Sequence, residues 1–584
     1  MKQNMSEVSW KVGGQQGEGI ESSGEILSTA LNRLGYYLYG YRHFSSRIKG
    51  GHTNYNVRIS LTSKGTIANE LDILIAFDQE TIDINRHELQ SQGIILADEE
   101  FNPTIKNIIG LEVFPVPFSK IAASYGSMIM KNIVALGATA ALLGIDLMAF
   151  TSVIQENFAK KNKEVIDHNL GAFHAGAQFI HENGIHLIEK YVLPKVQPVK
   201  RMFMMGNEAI ALGAIAAGSR FMAAYPITPA SEIMEYMIKK PPALGGDVIQ
   251  TEDEIAACTM AIGANYAGAR AFTATSGPGL SLMAEAIGLA GMAEIPLVVV
   301  NTQRGGPSTG LPTKNEQSDV MAAIYHTHGD TPKVVLTPST VEEAFYDTIE
   351  AFNIAEEYQC PVIILTDLQL SLGKQTVELF QYEKIKIRRG NLMQESILPT
   401  LAQGEYFKRF QVTKNGISPR VLPGMPNGIH LITGLEHDEM GKPAEAAANR
   451  IRQTDKRIRK LTHLVDHYPR PIYINAPYEE ADLLIIGMTG SRGAIEETMT
   501  KLTAENWKVN HAHIRLLHPF PIEQLNPLYT SARKVLVVEH NAIGQLAALI
   551  RMNRVDDGKM INLLKYDGGI FNLTSLYEKC KEVL

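Results

Sequence analysis

Cysteine is scarce, with three residues at positions 258, 360 and 580 of a 584-residue chain. Three scattered thiols make neither a disulfide framework nor a C-x-x-C pair, and they fall short of the four ligands an iron–sulfur cluster takes. A reducing, cytoplasmic setting is expected. An excess of positive charge is also missing. Lys and Arg number 55 against 62 Asp and Glu, a formal charge of −7, so no concentrated basic surface recommends nucleic acid as a partner. No apolar run has the length of a membrane span: the most apolar stretch, 132–150, contains Asp146 and many small residues and reads as one buried helix. The first ten residues are polar and acidic where an export signal would be apolar, so export is not expected.

What is present is the composition of an ordinary folded enzyme, 45% hydrophobic and 20% charged. The length exceeds one hydrophobic core, which implies three or four domains. Short β-rich runs at 8–12, 73–77, 93–97 and 111–118 alternate with helical patterns, and prolines at 194 and 198 mark a linker. A second alternating block has strands expected at 221–224, 247–250, 271–275, 296–301, 333–336 and 361–366. A third has them at 482–486, 509–514, 535–539 and 561–565. Between these two blocks lies a Gly-, Pro- and base-rich connector ending in a charged helix at 449–461. The expected fold class is α/β, with several doubly wound, mostly parallel sheets, divided at 1–195, 196–383, 384–475 and 476–584.

The first strand runs into Gly13-Gly14-Gln15-Gln16-Gly17-Glu18-Gly19 and then a helix from about residue 22, a geometry that turns backbone N–H groups toward a phosphate. The spacing is not G-x-G-x-x-G, and the next β-rich stretch, 36–41, has no acid for a ribose hydroxyl, which disfavours a nicotinamide site. The basic stretch 42–51, with Arg47, Lys49, Gly50 and Gly51, would neutralise the phosphates of a larger nucleotide such as coenzyme A. A tight turn followed by a solvated basic loop accounts for the same residues.

In the second block, Tyr225-Pro226-Ile227-Thr228-Pro229 ends a strand, with Thr228 expected to cap the next helix and Pro229 at its first position. Gln250-Thr251-Glu252-Asp253-Glu254 precedes a helix of small residues. A carboxyl there is a candidate for proton chemistry because burial favours the uncharged form; a solvated acidic turn is the plainer alternative. The loop from Thr302 to Gln317 is crowded with Gly, Pro and hydroxyls, and Arg304, just beyond a strand end, would hold a carboxylate through two parallel hydrogen bonds. A salt bridge to a nearby acid is its structural alternative.

Together these residues resemble the alpha subunit of 2-oxoacid:ferredoxin oxidoreductases with the family's gamma domain fused at the amino terminus, the order of the 2-oxoglutarate type. The resemblance rests on Tyr225 to Pro229, on Glu254 with Thr275-Ser276-Gly277-Pro278-Gly279, and on Arg304 with Gly306-Pro307-Ser308-Thr309-Gly310-Leu311-Pro312-Thr313. Gly490-Ser491-Arg492-Gly493, Leu517 to Pro521, Glu539-His540-Asn541 and Gly544-Gln545-Leu546 add to it. It implies that the middle domain is a pyrimidine-binding domain for thiamine diphosphate. Glu254 would contact the aminopyrimidine N1′ and promote activation of the cofactor, and Thr228, Arg304 and Thr313 would hold the substrate carboxylate and its polar neighbours. Gly14, Gly17, Gly19 and the Arg47–Gly51 stretch would form a coenzyme A region.

The resemblance also implies a partner. No Gly-Asp-Gly occurs in the chain, and that motif carries Mg²⁺ and diphosphate in thiamine-diphosphate enzymes. Mg²⁺, the diphosphate and a [4Fe-4S] cluster would therefore belong to a beta subunit, in an (alpha-beta)2 assembly that passes electrons to ferredoxin. The chemistry implied is conversion of a 2-oxoacid, coenzyme A and oxidised ferredoxin to acyl-CoA, CO2 and reduced ferredoxin. Two other functions compete: half of a thiamine-diphosphate decarboxylase or transketolase-like enzyme that uses no coenzyme A, and a non-catalytic nucleotide-binding subunit.

Overall fold

The computed structural model describes residues 6–44, 51–104, 111–554 and 558–584. The chain forms two compact units. One comprises the chain up to Met205 with Leu372–Leu379 and Asn572–Thr574; the other comprises Gly206–Ser371, Phe380–Phe571 and Ser575–Leu584.

The first unit is built on an eight-stranded mixed sheet. Glu7–Gln15, Leu71–Ala76, Leu89–Asp98 and Glu112–Val116 pair in parallel. On the other side of Glu7–Gln15, His52–Ser60, Tyr37–His43, Lys374–Val377 and Met202–Met205 pair antiparallel. Of this second half only 36–41 stands out in the sequence: His52–Ser60 follows Tyr37–His43 without an intervening helix, and Met202–Met205 and Lys374–Val377 are four-residue segments far along the chain. The stretch 132–150, expected as one helix, is two: Lys131–Leu142 and Met148–Asn157. Gly144 in the left-handed region (φ +65°) ends the first, with its N–H on Ala141 O and that of Ile145 on Ala140 O, the bond pattern glycine allows at a helix end. The helices Lys131–Leu142 and Lys163–Asn183 approach so closely that a Cβ on Gly137 or Gly176 would collide with the other helix's backbone.

The second unit holds two sheets. In the seven-stranded one, Pro361–Asp367, Leu297–Gln303, Ala271–Thr275, Phe221–Ala224 and Asp247–Gln250 lie parallel, so their carboxyl ends share one edge. Val334–Leu336 joins them in parallel, and Leu516–His518 adds an antiparallel margin. The five-stranded sheet centres on Ala481–Met488, parallel to Val509–Ile514 and Ala532–Glu539. Its Thr489-Gly490 turn docks on Asp367 at the end of a middle strand. Asp367 Oδ2 accepts from Gly490 N (3.0 Å) and from Gln317 Nε2 (2.8 Å). Glu539 caps the helix Gln545–Asn553 by accepting from Leu546 N (2.8 Å), while Gln545 Oε1 receives Met321 N (2.9 Å). These motifs of the third block thus fix the segment that follows the glycine-rich loop.

The connector is tied down by buried charge. Its helix Ala447–Arg459 sends Lys456 onto the carboxylate of Glu294, and Lys460 just beyond reaches the other oxygen (2.8 Å), all three fully buried. Burial alone would raise the Glu294 carboxyl, but Lys460, Lys456 and Arg409 outweigh it and hold the carboxyl well below the ordinary range. Removing one partner of such a cluster strands the others in a dry interior. Glu294→Ala is expected to destabilise this unit by about 3–5 kcal/mol, measured as a lowered denaturant midpoint. Because the folded-state pKa is depressed, the carboxylate's stabilising contribution is present at neutral pH and is lost only in acid, as pH falls from the unfolded pKa toward the folded one.

Candidate active site at the carboxyl edge of the middle sheet

Glu254 is the first residue of the helix Glu254–Tyr266. Asp253 caps that helix by accepting from Ala256 N (2.7 Å). This places Glu254 over the strand ends and leaves it 5% exposed. The neighbouring turn Ser276–Gly279 presses against it. A Cβ on Gly279 would collide with Thr275 Oγ1 and lie 2.7 Å from Glu254 Oε1. Glycine is required there by the close approach of the two segments. Among the described residues the Glu254 carboxylate takes no protein hydrogen bond, so both of its oxygens are left for solvent or a ligand.

Arg304 follows the strand Leu297–Gln303 and is 8% exposed. Its Nη1 donates to the carbonyl of Thr228 (2.7 Å), and its Nε is buried with no partner. Burial pulls the guanidinium below its ordinary range, and the charges of Asp319 and Glu254 oppose that pull. The structure therefore brings Thr228, Arg304 and Glu254 to one edge. Thr228 does not cap a helix. The turn 227–230 closes through Ala230 N on Ile227 O (2.8 Å), and the helix Ser231–Lys239 starts three residues past Thr228, with Ala230 at the cap. It is the main-chain carbonyl of Thr228, not its hydroxyl, that meets Arg304.

Thr313 lies half-buried in a loop folded on itself, with Gly305 N on Lys314 O (3.1 Å) and Leu311 N on Gly305 O (2.8 Å). No hydrogen bond links it to the other three residues among those described. Asp319 belongs to the site and was missed in the sequence. Its Oδ2 accepts from Asn301 Nδ2 (2.9 Å), its N–H donates to Gln303 Oε1 (2.9 Å), and its carboxylate lies against Gly277. Burial pushes its carboxyl up, against the opposing pull of Asn301 and Arg304. Buried, unpartnered hydroxyls of Thr273 and Ser276 complete a polar edge.

In the first unit, the glycine loop joins the strand Glu7–Gln15 to the helix Ile20–Leu34, two residues ahead of the expected start. Gly17 (φ +105°) and Gly19 (φ +77°) adopt left-handed conformations. Gly14 packs on Glu18, whose carboxylate accepts from Gln15 N (2.9 Å) and pairs with Lys131 (2.6 Å). Gln16 N donates to Gly51 O (3.1 Å), so Gly51 abuts the glycine loop. Arg47, Lys49 and Gly50 lie outside the described residues.

Three family descriptions match the chain in series: "Pyruvate ferredoxin/flavodoxin oxidoreductase" over residues 9–179, "Pyruvate flavodoxin/ferredoxin oxidoreductase, thiamine diP-bdg" over 212–456, and "Pyruvate:ferredoxin oxidoreductase core domain II" over 481–570. A 2-oxoacid:ferredoxin oxidoreductase alpha subunit from a Sulfolobus species is 32% identical, covering 99% of this chain and 97% of its own. The chain belongs to the 2-oxoacid:ferredoxin oxidoreductase alpha-subunit family. The 2-oxoglutarate synthase subunit KorA of Methanothermobacter marburgensis is 37% identical over 63% of this chain and 94% of its own. A solved 2-oxoglutarate:ferredoxin oxidoreductase from Magnetococcus marinus, with 2-oxoglutarate, coenzyme A and succinyl-CoA bound, superposes with a TM-score of 0.91 at 36% identity over 99% of each chain. The family membership carries the fold class and the thiamine-diphosphate character of the middle block, and it favours neither competing function.

A methyl group at position 279 has no room without moving Glu254 or Thr275. Gly279→Ala in the assembled oxidoreductase is therefore expected to lower kcat at least tenfold, at a folding cost of about 1–3 kcal/mol. Steady-state kinetics alongside thermal denaturation measures both.

Proposed function

We propose that this alpha subunit supplies the proton-handling acid and the anion clamp of a coenzyme A-acylating 2-oxoacid:ferredoxin oxidoreductase. A 2-oxoacid, coenzyme A and oxidised ferredoxin would give acyl-CoA, CO2 and reduced ferredoxin. The observation that carries this reading is the largely buried side chain of Glu254, without a protein hydrogen bond among the described residues, beside Arg304 with its buried, unpartnered Nε, at the sheet edge where parallel α/β folds bind ligands. Thiamine diphosphate, when bound, supplies the electron sink for decarboxylation. The residues fit it, since the Glu254 carboxyl has no protein hydrogen bond among the described residues and could donate its proton to the aminopyrimidine N1′, and the glycines at 277 and 279 keep the adjoining turn narrow. Glu254 would hold and return a proton at that nitrogen. Arg304, with its Nε unused, would hold the substrate carboxylate, and Thr228 and Thr313 would line the same pocket. 2-Oxoglutarate is the proposed substrate, supported by the KorA relative and the Magnetococcus marinus enzyme.

The diphosphate, Mg²⁺ and [4Fe-4S] sites are assigned to a beta subunit in an (alpha-beta)2 assembly. Among the described residues no cluster of His, Cys, Asp or Glu would hold a metal. Large apolar side chains stand exposed close in sequence to three of the site residues and to the Gly279 turn: Tyr225 near Thr228, Ile255 next to Glu254, Leu311 near Thr313 and Leu282 near Gly279. Exposed apolar surface around a polar centre is what a docking partner covers. For coenzyme A, the Gln16–Gly51 hydrogen bond supports joining Gly14, Gly17 and Gly19 to the stretch containing Arg47, Lys49, Gly50 and Gly51. Three buried, free cysteines favour a reducing compartment, the cytoplasm. The division at 195, 383 and 475 is kept as the proposed domain organisation; the gaps between the matched family spans support its first and last boundaries.

Glu254→Gln keeps shape and removes the acid, so kcat is expected to fall roughly 10²–10⁴-fold while subunit assembly and thermal midpoint stay unchanged. Full turnover in that variant would exclude Glu254. Arg304→Ala is expected to lower kcat/KM for the 2-oxoacid by about 2–5 kcal/mol in transition-state terms, with the KM for coenzyme A unaltered; unchanged kcat/KM removes Arg304 from the substrate site.

A further inference from the structure

At the opposite, amino-terminal edge of the middle sheet lies a cavity of about 440 Å³ that the proposed reaction does not use. It is lined by Ile324, Pro332, Leu461 and Pro519, with Lys333, Thr327 and His518 among them. Lys333 immediately precedes the strand Val334–Leu336 and is 2% exposed. Its ammonium donates to Thr327 Oγ1 (2.6 Å), and among the described residues it has no carboxylate partner. Asp330, which also borders the cavity, is exposed and forms no ion pair with Lys333 among the described residues. Burial lowers the lysine to about 8, leaving it mostly charged at neutral pH. His326 and His518 are pulled down to about 4 by burial and by Lys333, so both rings are neutral and offer donors without adding charge. A buried cation without a counter-ion is costly, and it is normally paired. At the mouth, Tyr325 and Ile458 stand 53% and 50% exposed and extend the apolar wall outward.

We propose that this cavity is a binding site for a small organic monocarboxylate with an apolar tail, its carboxylate paired with Lys333 and hydrogen-bonded by the Thr327 hydroxyl, its tail lying along Pro332, Leu461 and Pro519. The Thr327 oxygen accepts from Lys333, which leaves its own proton free to donate. A single charge fits better than a phosphate: no arginine lines the cavity, and its one lysine, with the acid of Asp330 on the same border, would leave the second charge of a phosphate dianion unpaired. The volume lies within the range of small-molecule sites.

The test is calorimetric titration of the assembled enzyme with hexanoate as the carboxylate probe and hexan-1-ol as its uncharged counterpart. Saturable hexanoate binding is expected, undisturbed by saturating 2-oxoglutarate, with hexan-1-ol much weaker. Lys333→Met should weaken hexanoate roughly tenfold or more, the loss expected for one charge-assisted hydrogen bond, and leave 2-oxoacid turnover intact. Ile458→Glu, a substitution at the exposed rim that leaves the lysine in place, should weaken it too; it decides the matter if Lys333→Met does not assemble. Absence of hexanoate binding, displacement by 2-oxoglutarate, or equal affinity in the variants overturns the proposal.

Discussion

The guanidinium of Arg304, bonded to the carbonyl of Thr228 and set between the charges of Asp319 and Glu254, is the contact on which the organisation of the second unit converges. It links the turn after Phe221–Ala224 to the end of Leu297–Gln303. Its neighbour Asp319 is held by Asn301 and Gln303 of the same strand. Gln317, two residues before Asp319, bonds Asp367 and the Met488 carbonyl, so the five-stranded sheet is fastened to the same segment. The guanidinium is charged at neutral pH, and the two acids offset part of what burying that charge costs. The docking of the third block is therefore part of the electrostatics of the edge.

That arrangement accounts for the uneven chemistry of the edge. The Arg304 Nε and the hydroxyls of Thr273 and Ser276 are buried without protein partners, and the Glu254 carboxylate takes no hydrogen bond from the described residues. Glycine at 277 and 279 lets acidic side chains approach the turn, and the exposed Tyr225, Ile255, Leu282 and Leu311 frame it with apolar surface. Unsatisfied polarity enclosed by uncovered hydrophobic area is the surface of an incomplete centre, which a second polypeptide and a cofactor would complete. Stability comes from elsewhere. The Glu294–Lys456–Lys460 cluster and the Arg270–Glu356 pair with Arg420 lock the connector onto the middle block.

Parallel strands were legible because each is a short apolar run flanked by helices, and Glu254 and Arg304 lie just past their carboxyl ends as the strand pattern implies. His52–Ser60, Met202–Met205 and Lys374–Val377 were not legible. His52–Ser60 alternates polar residues and follows the preceding strand without a helix between, Met202–Met205 is only four residues long, and Lys374–Val377 joins a sheet made mainly from residues some 170 or more positions earlier. The Thr228 cap failed for a local reason: a Thr-Pro pair signals a helix start, but the turn closing on Ala230 postpones it. Asp319 carried no local signal at all, since its role exists only once Asn301, Gly277 and Arg304 surround it.

The central claim is a catalytic centre divided between chains, with this one contributing the acid and the arginine and a second one the grip on the diphosphate. Equilibrium binding of thiamine diphosphate with Mg²⁺, measured on the isolated chain and again after addition of the beta subunit, tests it most directly. The account requires no stoichiometric binding by the isolated chain and one cofactor per alpha–beta pair in the complex; tight, stoichiometric binding by the isolated chain would contradict it.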